Sequence, residues 1–170
     1  MAISSAATAM PCSYSMTDTT LHKAYLSLGS NLGDGAANME RAIEKIEELA
    51  GHVECRSALY VTEPWGFASE HLFTNAAVLC LTPLSPHDLL AATQRIEREM
   101  GRKKKSVGGV YHDRIIDIDI LLYDDCRVDD PDLKIPHPLM WKRDFVMQPL
   151  SEIFPEVWQS PLAPTSSSST

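Results

Sequence analysis

The stretch RIIDIDILLYDD, Arg114 to Asp125, decides the fold. Ile116, Ile118 and Ile120 alternate with Asp117 and Asp119, and a period of two predicts a strand with one apolar and one acidic face. Aspartate is a poor strand former. Two carboxylates at this spacing share a face, roughly 6.5–7 Å apart, and repel one another. The pair reads in two ways. It is either a solvated sheet face or a site for a hard divalent cation such as magnesium, which takes carboxylate oxygens together with substrate phosphates. Two carboxylates on one strand also suit a pair of ions ~3.5–4 Å apart, the spacing of phosphoryl-transfer sites.

Working outward, KAYLSLGS (Lys23 to Ser30) alternates and ends on glycine, which predicts a strand and a turn. AANMERAIEKIEELAG places Met39, Ile43, Ile46 and Leu49 on one helical stripe, with Gly51 as the stop. HVECRSALYVTEP reads as one strand broken at Pro64, WGFASEHLF as an aromatic loop and TNAAVLCLTP as a third strand. SPHDLLAATQRIEREMG opens with Ser85 as N-cap and Pro86 at the first helical position, and its stripe is Leu89, Thr93, Ile96 and Met100. A fourth strand covers RIIDIDILLYD, and the remainder reads as irregular, then helical. The order βαββαβ predicts an α+β, ferredoxin-like antiparallel sheet with helices on one face and a C-terminal extension.

The 170 residues, 44% hydrophobic and 22% charged, suit one globular domain. It is expected over 23–160, with a disordered tail over 1–22 and a low-complexity tail over 161–170. A net charge of −8 argues against nucleic-acid and membrane surfaces as partners. The charge is uneven, however. GRKKK (Gly101 to Lys105), Arg114, Lys142 and Arg143 make a locally basic region that suits a small polyanion. Four scattered cysteines with no C-x-x-C suggest reduced thiols and a cytoplasmic location. Cations beside magnesium-type carboxylates are the usual equipment for nucleotide-dependent phosphoryl transfer. The chain has neither a P-loop nor a kinase H-R-D set, so any ATP site is of another type.

Six segments occur in order: AYLSLGSNLGD, LYVTEPWG, FTNAAV, QRIEREMGR, DRIIDIDILLYD and IPHPLMWKRDFVMQPL. Together, over Lys23 to Trp158, they resemble the 6-hydroxymethyl-7,8-dihydropterin pyrophosphokinases of folate biosynthesis. The resemblance implies transfer of the pyrophosphoryl group of ATP to the pterin hydroxymethyl group, with release of AMP, by a monomer using two Mg2+ ions on Asp117 and Asp119. It implies ATP contacts from Gln94, Glu97, Arg102, Lys105, Arg114, Ile120, Lys134, His137 and Arg143. Arg102, Lys104 and Lys105 fall in a mobile catalytic loop, and Arg114 at a phosphate. It implies pterin contacts from Thr62, Glu63, Pro64, Trp65, Phe73, Asn75, Asp117 and Phe145. Taken without the resemblance, Glu97 reads as a solvated helix face, His137 as structural, and Phe73 and Phe145 as core.

The chain departs from the family pattern at Tyr111, His112, Asp113, Asp132, Lys134 and Pro138, and its catalytic loop is about two residues longer than the commonest form. The competing readings are another two-metal nucleotidyl transferase or cyclase-like enzyme, which releases pyrophosphate rather than AMP, and an RNA-binding module. An RNA-binding sheet presents aromatics where this one presents Asp117 and Asp119.

Overall fold

The computed structural model describes residues 20–62, 72–101 and 115–164. Its principal sheet is antiparallel and consists of β1 (His22–Ser30), β2 (His52–Arg56), β3 (Tyr60–Thr62), β4 (Phe73–Thr82) and β5 (Asp117–Tyr123). The strand order is β2-β4-β1-β5, with β3 also on β4. Helix α1 (Gly35–Leu49) joins β1 to β2, and α2 (Pro86–Glu99) joins β4 to β5. A hairpin of β6 (Val128–Asp130) and β7 (Leu133–Ile135) follows β5, and α3 (Asp144–Ile153) comes after it.

Both long helices form where their sequence signals lie. Asp34 caps α1 by accepting from Ala37 N at 3.2 Å, and Met39, Ala42, Ile43 and Ile46 are buried. Ser85 caps α2 by accepting from Asp88 N at 3.2 Å, with Pro86 following as expected. The two helices share one core with Ala24, Leu26, Leu28, Val78, Ile116, Ile118 and Ile120. Gly51, expected as a helix stop, has a different reason to be glycine. An added Cβ there would collide with the Leu81 carbonyl of β4.

Several expectations are revised. The second strand is two strands, because Ser57 leaves the ladder: its N–H donates to Ala77 O at 2.9 Å while its Oγ accepts from Ala77 N at 2.9 Å. Phe73, read as loop, opens β4, and the last strand of the sheet begins at Asp117 rather than Arg114. Not all helices share a face. α3 packs with Ala77, Leu121, Leu122, Met140 and Val157 in a second cluster on the other side of the sheet. The hairpin β6–β7, read as irregular, is tied to the start of α2 by His87 Nε2 and Asp130 Oδ2 at 3.0 Å.

The last strand of the sheet carries one irregularity. Leu26 pairs with Ile120 and Tyr25 with Leu122, which leaves Leu121 as the extra residue of a β-bulge. Past it, the alternation inverts. Leu122 joins the α3 cluster and Tyr123 joins the α1/α2 core.

Candidate active site

Cross-strand partners in a sheet point to the same face. The register aligns Tyr60, Asn75, Gly29 and Asp117 in one row across β3, β4, β1 and β5, and Ala77, Ser27 and Asp119 in the next. Phe73, two residues from Asn75, shares this face. Asp117 and Asp119 are half-buried and alternate with buried Ile118 and Ile120, as the period of two predicts. Between the aspartates and Asn75 the floor consists of Gly29 and Ser27. A Cβ on Gly29 would lie 3.3 Å from Asn75 Oδ1 and 3.6 Å from the Phe73 ring. The glycine therefore keeps a shallow recess open, lined by an amide and an aromatic edge.

β5 is an edge strand. Its outward backbone groups are taken by two residues of the expected nucleotide set. Glu97 is buried, and its Oε2 accepts from Ile118 N at 2.7 Å. It is neither a solvated helix face nor a side chain aimed outward. It anchors α2 to the backbone between the two aspartates. His137 N donates to the carbonyl of Leu121, the bulge residue, at 3.0 Å.

Burial pushes the His137 imidazole down to about 4; Arg143 adds to the shift and Asp117 opposes it. The ring is neutral near pH 7. Its Nδ1 accepts from Leu139 N at 3.2 Å, so the ring proton belongs on Nε2, which is left as a donor. Arg143 is buried, and its Cζ lies 5.7 Å from the Phe145 ring centroid. Arg143 O also receives Val146 N and Met147 N at 2.9 Å, so the start of α3 carries both the cation and the ring.

The structure thus brings together Asn75, Phe73, Asp117, Asp119, His137, Arg143 and Phe145. Gln94 lies half-buried one turn before Glu97. Ile120 is buried in the α1/α2 core, so any contact it makes is through its backbone. Lys134 Nζ is engaged within its own hairpin, at 2.6 Å from Asp129 Oδ1 and 3.1 Å from Asp130 O. Thr62 pairs with Phe73 through the backbone. Glu63, Pro64, Trp65, Arg102, Lys104, Lys105 and Arg114 lie outside the described residues. Sequence reasoning missed Gly29 and Ser27. The available signal was a glycine inside an alternating strand, which marks a close approach to the backbone.

Paired carboxylates, a neutral histidine donor, a buried guanidinium and the Phe73 ring beside a glycine floor suit a flat ring beside a polyanion. That is the class of small-molecule phosphoryl-transfer enzymes. Residues 25–155 match the family model described as 7,8-dihydro-6-hydroxymethylpterin-pyrophosphokinase. The chain is 54% identical over 142 residues to a 2-amino-4-hydroxy-6-hydroxymethyldihydropteridine pyrophosphokinase of Porphyromonas gingivalis, covering 83% of this chain and 95% of that one. It is 44% identical over 133 residues to the enzyme of the same name from Aquifex aeolicus, covering 78% and 81%. Among solved structures it is similar to wild-type Plasmodium falciparum HPPK-DHPS with SDX-DHP, at TM-score 0.63 and 17% identity, covering 79% of this chain and 41% of that one. At that identity the likeness speaks to the fold alone, and the chain spans less than half of that longer protein. The chain belongs to the 7,8-dihydro-6-hydroxymethylpterin-pyrophosphokinase family, ATP-dependent diphosphotransferases of folate synthesis.

Proposed function

We propose that the face of the sheet bearing Asp117 and Asp119 transfers pyrophosphate from ATP to 6-hydroxymethyl-7,8-dihydropterin, with the ring over Gly29 and the triphosphate toward His137 and Arg143. The observation that carries this placement is the row Asn75, Gly29, Asp117: an amide, an open floor and a carboxylate in register on three adjacent strands. The flat ring stacks against Phe73 and Phe145, and the Asn75 amide, donor and acceptor at once, reads its edge. Trp65 and its neighbours Thr62, Glu63 and Pro64 are assigned to the other edge.

The two carboxylates form a hard-oxygen donor set that fits magnesium, and the proposed number is two ions. Bound there, magnesium supplies charge neutralisation for the triphosphate and a lowered pKa for the attacking hydroxyl. The chain's own groups orient the reaction. Nε2–H of the neutral His137 donates to a phosphate oxygen without adding net charge, and buried Arg143 supplies the fixed positive charge. Arg102, Lys104, Lys105 and Arg114 are assigned to the charge that develops on the transferred group. The pterin hydroxyl oxygen gives up its proton to solvent water and bonds to the β-phosphorus, the bond from that phosphorus to the α–β bridging oxygen breaks, and AMP leaves with that oxygen. In-line positioning carries much of the acceleration.

The strand order, with the C-terminal elements set aside, supports a ferredoxin-like assignment for a domain over 23–160. Among the described residues no helix is long and apolar enough to cross a membrane, and Cys55, Cys80 and Cys126 are free thiols. A cytoplasmic monomer is the proposed working form. The deciding measurement is AMP release by Asp119→Ala at saturating pterin. The expected loss is about 10³-fold or more, the size of a missing charge clamp on a transferring phosphoryl group. Turnover within a few fold of wild type rejects the placement.

A further inference from the structure

Glu152 lies seven residues after Phe145 on α3. Seven residues at 3.6 per turn return almost to the same side, so both side chains project toward the sheet, roughly 10.5 Å apart along the axis. One end of the helix carries Phe145, half-buried beside the Arg143 guanidinium. At the other end, the Glu152 carboxylate accepts from Ala58 N at 3.1 and 3.2 Å and from the Tyr60 hydroxyl at 2.8 Å. Ala58 sits at the break between β2 and β3, where Ser57 has left the ladder. Tyr60 stands directly opposite Asn75 on the site face.

We propose that Glu152 and Tyr60 are positioning residues for the pterin subsite: the carboxylate clamps α3 to β3 and so sets how Phe145 and Asn75 face one another across Gly29. The inference rests on the assignment of Asn75, Phe73 and Phe145 to the pterin. Two observations favour a geometric role over a merely stabilising one. The carboxylate is exposed, where a hydrogen-bonded pair contributes little to global stability. It is also spent on one backbone donor at a strand break and one hydroxyl beside the ring-reading amide, rather than on a nearby cation. Ring slots are unforgiving, since a displacement of about 1 Å can cost on the order of 10²-fold in rate.

The test compares Tyr60→Phe, Glu152→Gln and Glu152→Ala with Asn75→Ala in steady-state assays that vary pterin and ATP separately. Tyr60→Phe deletes only the hydroxyl, and Glu152→Ala deletes the clamp. Both should raise the pterin KM about 5–10-fold while the ATP KM stays within about twofold, the pattern of lost binding at one substrate alone. Glu152→Gln keeps the shape and one acceptor oxygen, and should recover part of the loss. An equal rise in both KM values would make the pair merely structural. An unchanged pterin KM in Tyr60→Phe and Glu152→Ala, with a large rise in Asn75→Ala, would overturn the clamp and leave the pterin site standing. An unchanged pterin KM in Asn75→Ala would remove the pterin assignment and the clamp with it.

Discussion

The two faces of the central sheet are cut from the same strands and hold opposite contents. Toward α1 and α2 the strands present Leu26, Leu28, Val78, Ile118 and Ile120, all buried in one core. On the other face, Ala77, Leu121 and Leu122 pack under α3, and beside them the positions at the site are Ser27, Gly29, Asn75, Asp117 and Asp119, whose strand partners are one another. The first face holds the strands in place. The second is free to carry residues that are poor for a strand, because the first already fixes the register. A one-residue slip would exchange the two sets completely.

The comparison breaks most visibly if Asp117→Asn and Asp119→Asn cost stability rather than activity. The expected outcome is a loss of about 10³-fold in turnover with denaturant midpoints unchanged or raised, since the substitutions relieve like-charge repulsion. Leu28→Ala, one position from Gly29 on the opposite face, should do the reverse. Urea unfolding should show a loss of about 3 kcal/mol, with turnover preserved in the fraction that remains folded.

His137 sharpens the contrast through pH. Its folded-state pKa of about 4 lies below the ordinary 6.5, so the unfolded chain holds the extra proton between those values. Stability therefore rises with pH across that window. It is undiminished above 6.5 and falls progressively toward 4, by on the order of 3 kcal/mol at most. His137→Asn should flatten that slope in urea titrations of the nucleotide-free enzyme at pH 7 and pH 5. The smallest expected effect is that of Gly29→Ala: a pterin KM raised about tenfold, with a melting point within a few degrees of wild type. A collapse in stability instead would make Gly29 a packing residue like its neighbours.

Much of this was legible because the determining signals are local. The period-two run through Asp117 and Asp119 needs only the strand itself, and Ser85 with Pro86 announces α2 within four residues. What stayed hidden depends on contacts made at long range. Glu97 reads as solvated until β5 brings an unpaired Ile118 N–H against it. The break at Ser57 is a side chain substituting for a ladder bond with Ala77, twenty residues away. The strands β6 and β7 are three residues each, too short for any period to show. The side of the sheet chosen by α3 is equally undetermined by its own stripe. Gly29 is the instructive case, because a glycine inside a strand was visible but its reason, an open floor between Asn75 and Asp117, exists only across strands.

The spare residue at Leu121 sets the chain out of step with itself. Upstream of it, odd-numbered positions of β5 lie on the face of Asn75 and Gly29; downstream, they belong to the interior, as Tyr123 shows. The same offset delivers the Leu121 carbonyl to the backbone of His137. Deleting this single amino acid would restore perfect alternation with Leu122 and Tyr123 still in their present compartments, yet it would take away the carbonyl that anchors His137. In this strand an imperfection of phase lets one segment serve two tenants.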